Sequence, residues 1–236
     1  MTAKRIKKWI LALTMLLTIP AAFWAVEPVT ALPLVDLIAL LPPPPAQDSS
    51  QTADEIKEIL SYQRNRTDQM VASAQGDQEL TVFRFADVLG PAFTPGKLPF
   101  TTAFFEKVLR VSEESVGPAK AHWKRLRPYV QNPKIHPCVK MPINDAYPSG
   151  HATAGTMMAV LLVQMIPEKR EELFMRGWKF ALNRVVGGVH YRSDVEAGRI
   201  AGTVLAHEIL KSPSFKKEFE KARAELRGAL GYAIER

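Results

Sequence analysis

Cysteine is nearly absent from this 236-residue sequence: Cys138 stands alone. A single thiol excludes an intrachain disulfide and a zinc site built from cysteines. Only one apolar stretch approaches the length of a bilayer span, which excludes a body of several membrane helices. No run alternates polar and apolar residues at period two, the pattern of half-buried strands. Internal repeats are missing, and so is any convincing cluster of metal ligands. A large excess of one charge sign is missing too. The formal net charge is +7, and Lys4, Arg5, Lys7 and Lys8 against Glu27 place +3 of it within residues 1–31. The mild surplus left elsewhere does not suggest a nucleic-acid partner, but it suits anionic small molecules. What is present is the make-up of a globular protein. Apolar residues are 47% and charged residues 23%, in a chain long enough for one domain with a sizeable core.

The first residues read as an export signal. Four basic residues precede an uncharged, mostly apolar run from Trp9 to Ala25, and Val29-Thr30-Ala31 offers a small-residue cleavage pattern. Pro20 interrupts the run, which favours cleavage over a retained anchor. A periplasmic or secreted protein is expected, with residues 1–31 removed and no stable membrane span left. Residues 32–49 form an apolar arm running into Pro42-Pro43-Pro44-Pro45, a stiff polyproline II segment expected to pack across the body or a neighbouring subunit.

From residue 50 to 236 the pattern is helical, and a single all-α domain is expected: a compact helical bundle with its active site built from loops and helix ends. Thr52 with Glu55 reads as a capping box ahead of Ile56, Ile59 and Leu60. Phe100, Phe104, Phe105, Val108 and Leu109 make an apolar stripe at helical spacing. A buried helix follows His151 through Met157, Val160, Leu161 and Val163. Residues 168–184 read as another, with Leu173, Phe174, Trp178 and Leu182 inward. Ala197, Ala201, Val204 and Leu205 share one face of the next. Ser212-Pro213 opens the last, marked by Phe215, Phe219, Ala222 and Leu226.

Three segments carry chemistry. In KAHWKRLRP, Lys120 and Arg127 are separated by six residues; an arginine fork and a lysine point charge both suit phosphate oxygens. Lys124 and Arg125 between them read as solvated surface, and His122 as a candidate substrate contact. Pro148-Ser149-Gly150-His151 comes next, where the Ser149 hydroxyl and the free amides of a helix start, Gly150 among them, make an anion site with His151 at its rim. The third segment holds Arg184, His190 and Asp194. A carboxylate four residues after a histidine would share its helix face, if the helix includes both, and would fix the imidazole tautomer. Gly187-Gly188 would let a bulky substrate approach the backbone. His207 reads as part of a helix face and His136 as a loop residue. Taken singly, each segment has a structural reading: a turn capping a helix, a surface ion pair, a solvated cation.

Taken together they do not. Lys-x6-Arg-Pro, Pro-Ser-Gly-His and Arg-x5-His-x3-Asp follow in that order, separated by 19 and 32 residues. They resemble the three-part signature of the type 2 phosphatidic acid phosphatase (PAP2) superfamily, which contains class A non-specific acid phosphatases, membrane lipid phosphatases and vanadium haloperoxidases. Leu40-Leu41 before the four prolines, ELFMRGWKFA at 172–181 and SDVEAGR at 193–199 are similar to the class A acid phosphatases. That resemblance covers roughly residues 40–228. Asn183 departs from it, standing where the family usually carries serine.

The resemblance implies a metal-independent acid phosphatase, without cofactor, that hydrolyses small phosphate monoesters through a phosphohistidine. His190 would be the nucleophile, Asp194 its orienting carboxylate and His151 the acid and base. Lys120, Arg127, Ser149, Gly150 and Arg184 would bind the phosphate. It also implies a homo-oligomer. Asn183, a helix position away from Arg184, would steady the site without touching phosphate. The alternatives are a vanadium-dependent haloperoxidase, whose members are usually much larger, and a lipid phosphate phosphatase, whose body usually spans the membrane several times. A phosphate-binding protein without turnover would need neither histidine.

Overall fold

The computed structural model describes residues 35–233; the expected export leader lies outside them. The described chain is helical: α1 (Leu37–Leu40), α2 (Ser50–Asn65), α3 (Asp68–Gly76), α4 (Ala86–Leu89), α5 (Pro99–Trp123), α6 (Pro128–Gln131), α7 (Gly150–Met165), α8 (Arg170–Val186), α9 (Arg192–Lys211) and α10 (Pro213–Leu230). No strand interrupts the described residues, and the all-α expectation holds. No helix among them is long and apolar enough to cross a membrane.

The centre is α7. Its sequence is apolar on almost every side, the pattern of a helix surrounded by protein, and Met157, Met158, Leu161 and Leu162 are fully buried. Helices α8 and α9 pack on it most extensively, and glycines set how closely. A Cβ at Gly198 would come within 2.5 Å of the Ser149 carbonyl oxygen, and one at Gly202 within 2.4 Å of the Thr153 carbonyl oxygen. This packing holds the start of α9 against the start of α7. On the outer side, Phe104 of α5 meets Phe215 and Phe219 of α10 edge-on, at 6.4 and 5.8 Å between ring centres. Burying such rings contributes about 1.5–3 kcal/mol each.

The arm crosses the body. Leu37 and Leu41 pack with Val116, Ala119, Tyr147, Ala197 and Ala201, and the Tyr147 hydroxyl donates to the Pro42 carbonyl.

Several local readings change. Helix α2 is capped by Ser49, whose hydroxyl accepts the Thr52 amide. Thr52 and Glu55 are therefore no capping box, and Glu55 is left for a longer-range partner. Phe100 and Phe174, read as inward, are 54% and 45% exposed, because each lies at the edge of its apolar stripe. Ser212 does sit at the N-cap of α10 with Pro213 behind it, but its hydroxyl meets that of Ser214.

Candidate active site

Five chain segments end at one pole of the bundle. The last turn of α5 brings Lys120, and the loop after it brings Arg125 and Arg127. The start of α7 brings Ser149, Gly150 and His151, and the last turn of α8 brings Arg184. His190 precedes α9, and Asp194 lies in its first turn. Together Lys120, Arg127, Asn144, Gly150, His151 and His190 line a cavity of about 460 Å³, with Leu80, Leu109, Val116 and Pro142 among its apolar lining. Lys120, Arg127, Ser149, Arg184, His190 and Asp194 are all buried. Ser149 and Arg184 are not among the residues that line the cavity.

His190 is held from both sides. Its Nδ1 lies 3.0 Å from Asp194 Oδ2, and its Nε2 lies 2.7 Å from Arg127 Nη1. A guanidinium only donates, so Nε2 is the unprotonated nitrogen and Nδ1–H points at the carboxylate. The condition for a shared helix face is not met, because α9 starts at Arg192. His190 stands outside α9, and Asp194 Oδ2 accepts the Tyr191 amide at 2.9 Å, so a cap at the helix start sets the geometry.

The cations are gathered around this nitrogen. Arg127 donates to both the carbonyl and side-chain oxygens of Asn144 and to the Val189 carbonyl. Lys120 donates to the carbonyls of Asp145 and Ala146. Arg184, 2% exposed, leaves Nε and Nη1 buried without any hydrogen-bond partner. A buried cation is normally paired, and this one is not.

The electrostatics follow. Burial, then Arg127, lowers Lys120 to about 7. Burial, then Arg184, lowers His151 to about 3. Burial, followed by Arg127 and Lys120, holds His190 well below the usual imidazole range. His151 Nε2 sits 3.1 Å from the Gln78 carbonyl, which can only accept, so that nitrogen keeps its proton. The Ser149 hydroxyl caps α7 by accepting the Ala152 amide. A Cβ on Gly150 would meet nothing nearer than Val116 at 3.9 Å.

Other expectations change. Arg125 is not solvated: it is 4% exposed and donates to Asp194 Oδ1 at 2.6 Å and to Glu55 Oε2 at 3.0 Å. Gly187 and Gly188 face Val139, Ile135 and Pro137, so their room is taken by the loop before α7. His122 is exposed and turns edge-on to Trp123. Asn183 donates to Asp77 Oδ2 at 2.7 Å and to the Ser73 hydroxyl. Sequence reasoning missed Asn144, Gln78, Arg125 and Glu55. Only Arg125 carried a local signal, its place between Lys120 and Arg127. Among the described residues, no three His, Cys, Asp or Glu side chains gather as a metal site would require.

A model of the PAP2 superfamily matches residues 101–218. The non-specific acid phosphatase of Salmonella typhimurium is 31% identical over 79% of this chain and 78% of its own length. The acid phosphatase of Zymomonas mobilis is 29% identical over 82% and 76%. Among solved structures, a bacterial vanadium-dependent iodoperoxidase superposes with a TM-score of 0.57 at 18% identity, over 73% of this chain and 52% of that one. A transmembrane PAP2-type phosphatidylglycerolphosphate phosphatase from Bacillus subtilis superposes with a TM-score of 0.51 at 16% identity, over 77% and 91%. At such identities these two likenesses speak to the fold alone.

Proposed function

The chain belongs to the PAP2 superfamily, and from that premise we propose that it is an exported acid phosphatase that hydrolyses small phosphate monoesters through a phosphohistidine, without a metal. The observation that carries this reading is His190. Its lone pair on Nε2 is fixed by Asp194 on one side and turned toward Arg127 on the other. Export, from the pattern in residues 1–31, and a homo-oligomer, from the likeness to class A enzymes, belong to the same proposal.

The phosphate supplies the acceptor that Arg184 lacks and a further one for Arg127, with Lys120, the Gly150 amide and the Ser149 hydroxyl, free to donate while it accepts the Ala152 amide, completing the seat. These donors face the equatorial oxygens, where transition-state charge develops. The Nε2 lone pair of His190 then forms a P–N bond as the ester P–O bond breaks, and the leaving oxygen takes a proton from His151. In the second step a water gives a proton to His151 while its oxygen bonds phosphorus. The P–N bond breaks, its electron pair returns to Nε2, and inorganic phosphate leaves. Nδ1–H stays on Asp194 throughout. With Nε2–H of His151 held by Gln78, its Nδ1 is the nitrogen left to gain and lose the working proton.

Acid pH suits both histidines. His190, held low, keeps its lone pair where an ordinary imidazole would be protonated. Burial first and Arg184 second hold His151 low; a bound phosphate offsets the Arg184 part and shifts that ring toward carrying its proton. Turnover of p-nitrophenyl phosphate in EDTA, with rapid-quench detection of phosphohistidine, tests the reading. We expect hydrolysis with a covalent intermediate, and neither in His190→Ala. Loss of activity on chelation, restored by a divalent ion, overturns metal independence. Phosphohistidine persisting in His190→Ala overturns the nucleophile.

A further inference from the structure

We propose that Arg125 and Glu55 are positioning residues for the nucleophile: Glu55 holds the Arg125 guanidinium against Asp194, and the Arg125 charge keeps the His190–Asp194 pair at a single proton in acid. The inference rests on the phosphatase reading only for its purpose; its geometry stands apart.

Asp194 is fully buried and divides its oxygens between two tasks. Oδ2 takes His190 Nδ1 and the Tyr191 amide. Oδ1 takes Arg125 Nη1 at 2.6 Å. The same Nη1 reaches the Ser193 hydroxyl at 2.7 Å, and Nη2 reaches Glu55 Oε2 at 3.0 Å. Glu55 Oε1 accepts the Ser193 amide at 2.6 Å, and the Tyr191 ring lies 4.0 Å below the guanidinium. Both terminal nitrogens of Arg125 are thus committed, and Arg125 is not among the residues that line the cavity. Its contact with the nucleophile runs through Asp194.

The charge arithmetic gives the purpose. A productive His190–Asp194 pair carries one proton, on Nδ1. A second proton, wherever it settles, removes the nucleophile or its acceptor, and the two groups titrate as a unit. Burial raises Asp194 toward accepting that proton, and Arg125 is the first influence opposing it. Lys120, Arg127, Arg184 and His151 also act on the pair, Tyr147 and Tyr191 flank it as neutral phenols, and Glu55 stands behind Arg125. Removing the positive charge of Arg125 therefore invites the second proton, and removing the negative charge of Glu55 discourages it. A merely structural pair would damage the site in the same sense from either end. An electrostatic pair moves it in opposite senses.

The test follows the His190 imidazole nitrogens by NMR against pH in the full chain, alongside the acid limb of kcat/KM for p-nitrophenyl phosphate. Arg125→Gln should raise the midpoint of both by about one unit or more. Glu55→Gln should lower both by less. Arg125→Lys should leave both near the wild-type position even where kcat falls. Should Arg125→Gln not fold, the Glu55→Gln and Arg125→Lys profiles still decide. Midpoints that stay put, or that move the same way in the glutamine variants, overturn the inference. A His190 titration that shifts as expected in a protein without turnover overturns the phosphatase reading and leaves this one standing.

Discussion

Arg176 and Arg184 lie two turns apart on α8, both buried, and their surroundings differ in kind. Arg176 grips Asp77 with Nη1 and Nη2 at 3.0 and 2.7 Å, and its Nε lies 2.8 Å from Asp87 Oδ2. It also donates to the Arg84 carbonyl, and Asp77 takes Arg84 Nε and Asn183 Nδ2 besides. Arg184 has two buried donors and nothing to give them to. One cation is compensated by the protein; the other is left without a hydrogen-bond partner, and in the proposed function a substrate phosphate supplies its counter-charge. Under the proposed function, the comparison separates a structural arginine from a functional one by whether the fold supplies the counter-charge.

The sharpest way to break the contrast is to remove each arginine in turn. Arg176→Met leaves Asp77 buried without its main partner, and should lower stability by about 3–5 kcal/mol. Urea unfolding measures it; a neutral result would mean that Arg84 and Asn183 suffice. Arg184→Met should behave the other way. It should lose about a hundredfold or more in kcat/KM, because a charged donor leaves a site built around phosphate charge. Yet the melting temperature of the free protein should rise, since an unpaired buried charge has gone, and phosphate should no longer raise it as far. A fall in melting temperature would place Arg184 among the structural arginines.

Lys120 sharpens the comparison through pH. Its folded-state value of about 7 lies below the ordinary 10.5, so the unfolded chain binds the proton more tightly between those values. This group therefore penalises the free fold below pH 7 and does so less as pH rises toward 10.5. Phosphate needs the ammonium, so its affinity should move oppositely, weakening by about tenfold between pH 6.5 and 8.5. Calorimetric titration with inorganic phosphate checks this, and Lys120→Arg should remove the fall. A flat profile in the wild type would mean that the lysine does not face the anion.

Asn183 is the smallest test. It serves Asp77 on the compensated side, and Asp77 keeps Arg176 and Arg84 without it. Asn183→Ser should therefore change kcat/KM by less than about tenfold, on the order of 1.4 kcal/mol. A loss equal to that of Arg184→Met would move Asn183 into the phosphate seat.

Much of this was legible in the chain. The helical period of the apolar residues gave the long helices, because a stripe that must be buried repeats at the pitch of its helix. Its edges were less legible: Phe100 and Phe174 fit the period but fall outside the packed face. The three motifs named Lys120, Arg127, Ser149, Gly150, His151, Arg184, His190 and Asp194, because those residue types at those spacings suit phosphate chemistry. Arg125 was read as surface because a cation with no local partner usually is. Its partners, Glu55 and Asp194, lie 70 and 69 residues away, a distance no local pattern spans. Asn144 and Gln78 were silent for the same reason.

By itself, then, the sequence determined which segments are helical and which side chains can do phosphate chemistry, since both depend on residue type and on spacing along one chain. Only the tertiary structure decided which cations are compensated and which are left bare. That depends on which carboxylates the packing of α2, α4, α9 and the turn after α3 brings within about 3 Å of a guanidinium, and packing is a property of the whole fold.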